Sequence, residues 1–191
     1  MKTSFLLTSS AFILTSIFSW RVEAAGFTEI IPASACQLEN EDDFGKADLV
    51  DGSWLIDASV ANDQVELLCP VRTSHFSISG IFNSSLAWSD IEIFYRDPDG
   101  SGKNHSVVAT LLQVGKTTGV TTSLGSISSN SSIQTADTRW EETLLAFATV
   151  LVDAQHHVRV VLKQGTNNGT DRVRLSRVRL FFDPPGIADS E

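Results

Sequence analysis

Four arginines stand within eight residues of the C-terminal part of an otherwise acidic chain: Arg172, Arg174, Arg177 and Arg179. A guanidinium group donates hydrogen bonds as a fork that fits a carboxylate or sulfate group, so the cluster suits an acidic glycan. The alternative is that the arginines face solvent and pair with carboxylates on neighbouring strands, where they keep a sheet edge from associating. The spacing predicts either a ligand-binding face or a solvated charged strand.

Two aromatic residues, Trp140 and Phe94, are candidate platforms on which a sugar ring could stack. Trp140 lies between two charged residues, and Phe94 alternates with Glu92 and Arg96. Because successive residues of a strand point to opposite faces, Phe94 should share a face with these charges. Packing in the core or between sheets is the alternative for both aromatics.

Closely spaced carboxylates make calcium the candidate ion. Asp97 and Asp99 alternate before Gly100 in the segment 97–102, and six carboxylates crowd residues 39–51. Calcium requires several oxygen ligands at about 2.3 to 2.6 Å. A turn between two strands explains 97–102 without an ion, and a solvated flexible loop explains 39–51.

The familiar enzyme signatures are missing from the sequence. It contains no HExxH, paired-cysteine, Gly-x-Ser-x-Gly or phosphate-loop pattern. The adjacent His156 and His157 would point to opposite faces of a strand and could not share one metal ion. A glycoside hydrolase is the enzymatic alternative, because its two catalytic carboxylates leave no local signature. The sequence favours a non-catalytic protein without excluding an enzyme.

The first residues have the layout of a secretory signal peptide. Lys2 precedes an apolar run from Phe5 to Trp20, and Val22 with Ala24 supplies small residues before a cut after Ala24. The run is shorter than the roughly 20 apolar residues of a membrane span. We expect a signal peptide over residues 1–24, one domain over 25–191, no membrane span, and a secreted, extracellular or periplasmic location.

Charge and cysteine content limit the partners and the compartment. Without residues 1–24 the chain keeps 12 basic and 22 acidic residues, a net charge of −10, which disfavours nucleic acid and anionic membranes as partners. Cys36 and Cys69 are the only two cysteines. In an oxidising compartment an even count predicts one disulfide.

From Asp51 onward, short apolar runs with period two alternate with clusters of turn residues, which is typical of antiparallel strands. Ile91–Arg96 and Val107–Val114 are predicted as two strands joined by a hairpin turn at 97–102. Residues 144–152 are predicted as a strand rather than a helix, since Thr149 and Val150 are β-branched and the run is not one-sided. The other predicted strands are Trp54–Val60, Val65–Val71, Phe76–Phe82, Val158–Leu162 and Val173–Phe182.

Seven or eight such strands predict an all-β fold, a two-layer antiparallel β-sandwich of jelly-roll or immunoglobulin-like type. Residues 115–138 are predicted as irregular loops with a short strand at most. In the last strand the apolar phase changes between Leu175 and Val178. Because a strict two-residue period cannot change phase, the sequence predicts a β-bulge near Ser176.

The early Cys36 and the later Leu67-Leu68-Cys69-Pro70-Val71 resemble small secreted bacterial β-sandwich proteins of uncharacterised function. Residues 158–182, with a Gly/Asn-rich hairpin at 164–170, also resemble the last two strands of jelly-roll carbohydrate-binding modules. The first resemblance implies a single sandwich and brings no catalytic residue. The second implies a carbohydrate ligand.

Together these observations favour an exported, non-catalytic sandwich that binds an extracellular glycan or protein. One alternative is a polysaccharide hydrolase acting through paired carboxylates. The other is a structural protein of the cell exterior that self-associates through a sheet edge.

Overall fold

The computed structural model describes residues 27–57, 59–72, 87–102, 104–131, 139–149, 154–166 and 172–183. The predicted signal peptide and the predicted strand Phe76–Phe82 lie outside these residues. For residues 139–149 the description covers the backbone alone.

The described residues form eleven β-strands and three short 3-10 turns. The strands are β1 Phe27–Pro32, β2 Gln37–Leu38, β3 Ala47–Val50, β4 Ser53–Ile56, β5 Asp63–Pro70, β6 Ala87–Arg96, β7 Ser106–Gly115, β8 Thr121–Ser128, β9 Arg139–Thr149, β10 Ala154–Gln164 and β11 Arg174–Asp183.

The strands pair in two antiparallel sheets. The first has the order β3-β4-β11-β6-β9, and β1 pairs with β11 on the side where β4 also pairs. The second has the order β2-β5-β10-β7-β8. The predicted two-layer antiparallel sandwich is therefore confirmed.

The core lies between the two sheets and is built from alternate residues of their central strands. On β6 the inward side chains are Ile91, Ile93 and Tyr95, all buried. On β10 the even-numbered residues are buried throughout its length. This alternation explains the period-two pattern of the sequence, because each sheet has one face on the core and one face toward solvent.

The bulge predicted near Ser176 is present. In the pairing of β11 with β6, Leu175 lies opposite Tyr95 and Arg177 opposite Phe94, so Ser176 is the extra residue. The apolar residues on both sides of it face the core and are fully buried: Val173, Leu175, Val178 and Leu180. The bulge lies where the neighbour of β11 changes from β4 to β1.

Two predicted hairpins are wrong. β6 and β7 belong to different sheets, so residues 97–105 carry the chain across the sandwich rather than folding one strand back on the other. The same is true of β10 and β11. Strand alternation is identical in a hairpin and in a crossover, and only non-local pairing distinguishes them.

Three further elements differ from prediction. Residues 115–138 contain the eight-residue strand β8, β4 ends at Ile56 instead of Val60, and the N-terminal strands β1 to β3 were not predicted. Asp43 is not part of a solvated loop. It is 5% exposed, and its carboxylate accepts hydrogen bonds from the Glu66 backbone N–H and from Lys46.

The predicted disulfide joins Cys36 to Cys69. Both cysteines are buried. Cys36 lies between β1 of the first sheet and β2 of the second, and Cys69 lies on β5. The bond therefore fixes the chain where it first crosses the sandwich. Among the described residues, no helix has the length and apolarity to cross a membrane.

Candidate functional site

The candidate site is the outward surface of β11 and β6, which we call the arginine face. It is defined by eight residues: Asp90, Glu92, Phe94 and Arg96 on β6, and Arg174, Arg177, Arg179 and Phe181 on β11. Each alternates with a buried core residue of its strand, apart from the bulge at Ser176. Two paired strands of one sheet carry all of them, so their spacing is set by backbone pairing.

The residues of the arginine face form four rows across the two strands. In order along the strands the opposed pairs are Phe181 with Asp90, Arg179 with Glu92, Arg177 with Phe94, and Arg174 with Arg96. β1 extends the second row on the β11 side, where Ile30 lies opposite Arg179 and is 54% exposed. On the β6 side, Trp140 of β9 lies opposite Phe94 in the backbone register, and its side chain is outside the description.

Phe94 is the centre of this face. The guanidinium carbon of Arg177 lies 3.6 Å from the centroid of its ring, and that of Arg179 lies 5.3 Å away. A cation over an aromatic ring gains about 0.5 to 2 kcal/mol, depending on exposure. The ring is thus covered by a guanidinium group rather than open as a stacking platform, and it holds the planar group of Arg177 in place.

The predicted arginines do not all have the same surroundings. Arg179 forms a cross-strand ion pair with Glu92 at 2.9 Å, and this pair is largely shielded from solvent because Glu92 is buried. Arg174 donates a 2.9 Å hydrogen bond to the hydroxyl of Ser53. Arg172 precedes β11 and interacts electrostatically with Asp57, so it stands apart from the rows.

Asp90 is one of the residues of the arginine face that sequence reasoning did not predict as part of a site. It is 9% exposed, and its Oδ1 accepts no hydrogen bond in the described structure. A buried oxygen of this kind costs about 1 to 3 kcal/mol when no donor reaches it. A carboxylate next to Phe181 therefore offers an acceptor for a ligand hydroxyl beside an apolar ring.

The predicted calcium residues Asp97 and Asp99 lie away from the arginine face, in the connection between β6 and β7. Asp97 accepts hydrogen bonds from the Ser129 hydroxyl and from the Asp99 backbone N–H. Asp99 accepts from the backbone N–H groups of Asn104 and His105. These hydrogen bonds show that both carboxylates stabilise the connection that carries the chain from β6 to β7.

Among the described residues there is no group of three or more His, Cys, Asp or Glu side chains with the arrangement of a metal site. Calcium binding at Asp97 and Asp99 stays a prediction. Any such site would need further oxygen ligands from backbone carbonyls or water, because calcium takes about six to eight.

Two buried groups away from the arginine face have shifted pKa values, and the two shifts make the stability of the fold depend on pH in opposite directions. Burial raises the pKa of Asp97 from 3.8 to about 6, although the hydrogen bond from Ser129 acts the other way. Burial, followed by the charge of His157, lowers the pKa of His156 from 6.5 to about 4. Asp97 therefore adds stability at low pH that is lost as pH rises through about 6. His156 adds stability above its ordinary pKa that is lost as pH falls toward 4.

Replacing Asp97 should change how stability depends on pH. Relative to the wild type, Asp97→Asn should become more stable as the pH rises from about 4 to about 8, by up to about 3 kcal/mol, because the variant has no carboxylate to ionise in the interior. Urea unfolding at both pH values measures this difference. His156→Gln is the comparison variant, since it should gain relative stability on acidification instead. Parallel pH curves for wild type and Asp97→Asn would contradict the assignment.

Comparison with solved structures returns matches at low similarity, among them carbohydrate-binding modules. The matches include a family two carbohydrate esterase from Cellvibrio japonicus (15% identity, TM-score 0.36, 85% of this chain and 37% of the esterase). A CBM36-1 domain of a xylanase from the hindgut metagenome of Trinervitermes trinervoides has 10% identity and a TM-score of 0.39, over 81% of this chain and 96% of the module. The xylan-binding module CBM86 from Roseburia intestinalis has 13% identity and a TM-score of 0.39, over 83% and 96%.

No family model and no curated protein matches the sequence. The chain spans little more than a third of the esterase. Carbohydrate-binding modules, which the sequence was predicted to resemble, are thus among the similar structures. At such low identities and TM-scores the similarity concerns the fold alone. The resemblance to small secreted bacterial proteins stays a prediction.

Proposed function

We propose that this protein is an exported, non-catalytic carbohydrate-binding protein and that its ligand lies across the arginine face. The observation that carries the proposal is the guanidinium of Arg177 held 3.6 Å above the ring of Phe94 at the centre of the outward sheet surface, where both side chains are half-buried. A planar donor fixed in this way loses little side-chain freedom when it binds a ligand. The same face offers apolar surface at Phe181 and Ile30 and an acceptor at Asp90.

This combination suits a saccharide better than a purely apolar or purely ionic ligand. A sugar ring has apolar C–H faces and a rim of hydroxyl groups that both donate and accept hydrogen bonds. Phe181 lies between Asp90 on one neighbouring strand and Thr28 on the other. Polar and apolar residues therefore alternate across the sheet, with about 4.8 Å between adjacent strands.

Removing the Phe94 ring should weaken binding, because the Arg177 guanidinium would lose its support. We expect Phe94→Ala to lower affinity for the best-binding polysaccharide about tenfold, the equivalent of about 1.4 kcal/mol. Affinity electrophoresis against neutral and acidic polysaccharides, followed by calorimetry, measures it. The matched control is Phe44→Ala, since Phe44 is 71% exposed and lies off the arginine face. Equal losses in both variants, or no polysaccharide binding by the wild type, would overturn the proposal.

A hydrolase is the second candidate, and one observation favours it. Asp90 and Glu92 are two residues apart on the same face of β6, which places their Cα atoms about 6.6 Å apart. Catalytic carboxylates of glycosidases lie about 5 to 9.5 Å apart. The ion pair of Glu92 with Arg179 favours a structural role. Reducing ends released by the wild type, and abolished by Asp90→Asn, would replace the non-catalytic proposal with this one.

Self-association through a sheet edge is the remaining alternative. The edge strand β3 exposes Leu49 and Val50. Asp48 lies beside them on the same strand and Asp51 follows it, so two copies meeting at this edge would bring like charges together. Sedimentation at increasing concentration tests this, and an assembly that Leu49→Lys abolishes would support it.

A further inference from the structure

The charges on the arginine face are not balanced. Arg179 is compensated by Glu92. Among the described residues neither Arg174 nor Arg177 forms an ion pair. Arg174 donates to a neutral hydroxyl, and Arg177 stacks on a ring. Two guanidinium groups of this face therefore have no ion-pair partner among the described residues, in a protein whose formal net charge is −9.

The backbone register places these charges together. Arg174 and Arg177 occupy successive rows of β11, because the bulge at Ser176 separates them without turning either one inward. Arg96 of β6 lies directly opposite Arg174. Three arginines thus occupy two successive rows at the end of the arginine face nearest β4, a region we call the arginine corner.

Such a corner is unfavourable without a ligand. Arg174 and Arg177 lie in successive rows of one strand, and neither has an ion-pair partner among the described residues, so their like charges repel each other. The Nε atoms of Arg174 and Arg177 are buried and donate no hydrogen bond in the described structure, which adds to the cost. An oxyanion at the corner would reduce the repulsion and accept hydrogen bonds from a planar fork, the interaction for which guanidinium groups are best suited.

We infer that the saccharide bound by the arginine face is anionic, and that its carboxylate or sulfate group binds at the arginine corner. This inference rests on the proposed function and adds the ligand class. Because the rest of the protein is acidic and repels a polyanion, such a polymer would approach with its charged groups directed to the arginine corner. The hydroxyl-accepting Asp90 and the apolar Phe181 at the other end of the face favour a sugar polymer over other polyanions.

The test uses polymer pairs that differ in charge alone. The purified protein is titrated with polygalacturonate and its fully methyl-esterified form, and with dextran sulfate and dextran. We expect at least tenfold tighter binding to one charged member than to its neutral partner, and weakening of that binding as salt is raised, since exposed charges are screened. Preference for polygalacturonate indicates a carboxylate ligand, and preference for dextran sulfate indicates a sulfate ligand.

Variants then locate the anion. Arg174→Gln should reduce binding to the charged polymer about tenfold and leave binding to its neutral partner unchanged, since a charged hydrogen bond is worth about 1.5 to 3 kcal/mol. Arg159→Gln is the matched control, because Arg159 lies on β10 of the other sheet and binds Glu39 through two 2.8 Å hydrogen bonds. Equal loss in both variants would overturn the assignment to the corner.

The outcomes separate this inference from the proposed function. Equal binding to charged and neutral members would overturn the anionic ligand and leave carbohydrate binding intact. No binding to any of the four polymers would overturn both. Binding of polyglutamate or DNA as tight as that of the charged polysaccharide would show a general polyanion surface and would overturn the saccharide ligand.

Discussion

Deleting Arg159 from β10 is expected to unfold the protein, whereas deleting Ser176 from β11 is expected to leave it folded. β10 pairs with β5 and β7 without a register shift. Deleting one residue therefore reverses which side chains face the core in one half of the strand. If the first half keeps its place, Val161 takes the inward position of Val160, Lys163 takes that of Leu162, and the buried Gln164 turns outward. The loss of Leu162 from the core costs about 1.5 to 3 kcal/mol, and a buried ammonium costs several more. The sum approaches the whole stability of a typical domain, about 5 to 15 kcal/mol.

The deletion of Ser176 has a different consequence because Ser176 is the extra residue of the bulge. Without it, Leu175 is followed by Arg177 and then Val178, which restores strict alternation and keeps every apolar residue on the core face. The main loss is the hydrogen bond from Ser53 to the Ser176 hydroxyl, worth about 1 kcal/mol. The closer approach of β1 and β4 along β11 adds a further cost, and we expect a total of about 1 to 2 kcal/mol.

Far-UV circular dichroism and urea unfolding of the two deletion variants measure the contrast. Arg159→Ala is the control for the side chain itself, since it removes the ion pair with Glu39 but keeps the register. That exposed pair is worth about 0.2 to 1 kcal/mol, so Arg159→Ala should stay folded. If the Ser176 deletion unfolds as fully as the Arg159 deletion, the bulge does more than correct the phase of the strand.

The bulge and the disulfide could both be predicted because each leaves a local trace in the sequence. The phase change between Leu175 and Val178 is visible within one strand and has few physical explanations. Two cysteines allow one pairing. The same locality explains why β9 was correctly predicted as a strand despite helix-forming residues, since β-branched residues and continuous apolar character are local features.

The arginine corner could not be predicted, because it depends on which strands are neighbours. The sequence places Arg174 and Arg96 78 positions apart, and alternation shows only that each faces outward from its own sheet. If β6 and β7 had formed the predicted hairpin, Arg96 would have had β7 as a sequence-adjacent partner. Instead the chain crosses to the second sheet after Arg96, and β11 takes that position.

Short N-terminal strands were missed for a related reason. β2 and β3 have two and four residues, too few to show a period, and acidic residues surround them. Their positions depend on buried polar contacts such as the carboxylate of Asp43, which accepts the backbone N–H of Glu66 on β5 at 3.0 Å. A buried carboxylate with two partners looks, in the sequence, like any other residue of an acidic loop.

Removing the disulfide is expected to lower the free energy of unfolding by about 3 to 4 kcal/mol, the chain-entropy value for this loop length. The bond closes a 33-residue separation, and the unfolded chain gains freedom when it is absent. The double variant Cys36→Ala/Cys69→Ala is preferred to serine replacements, which would leave hydroxyl groups in the core. Urea unfolding should show a lower midpoint and a larger dependence on denaturant, since the uncrosslinked chain exposes more surface.

The loss should be greatest in one part of the sandwich. The segment enclosed by the bond contains β3 and β4. In the described structure β4 pairs with β11 at two positions, Arg174 with Leu55 and Leu175 with Trp54, and one further backbone hydrogen bond joins Ile56 to Val173. Without the bond, this strand pair can separate before the rest of the protein unfolds. Hydrogen exchange should therefore show lost protection in residues 47–56 while β10 stays protected. Because β4 also carries Ser53, which holds Arg174, binding of the charged polysaccharide should weaken in the same variant. Uniform loss of protection across both sheets would show that the bond stabilises the fold only as a whole.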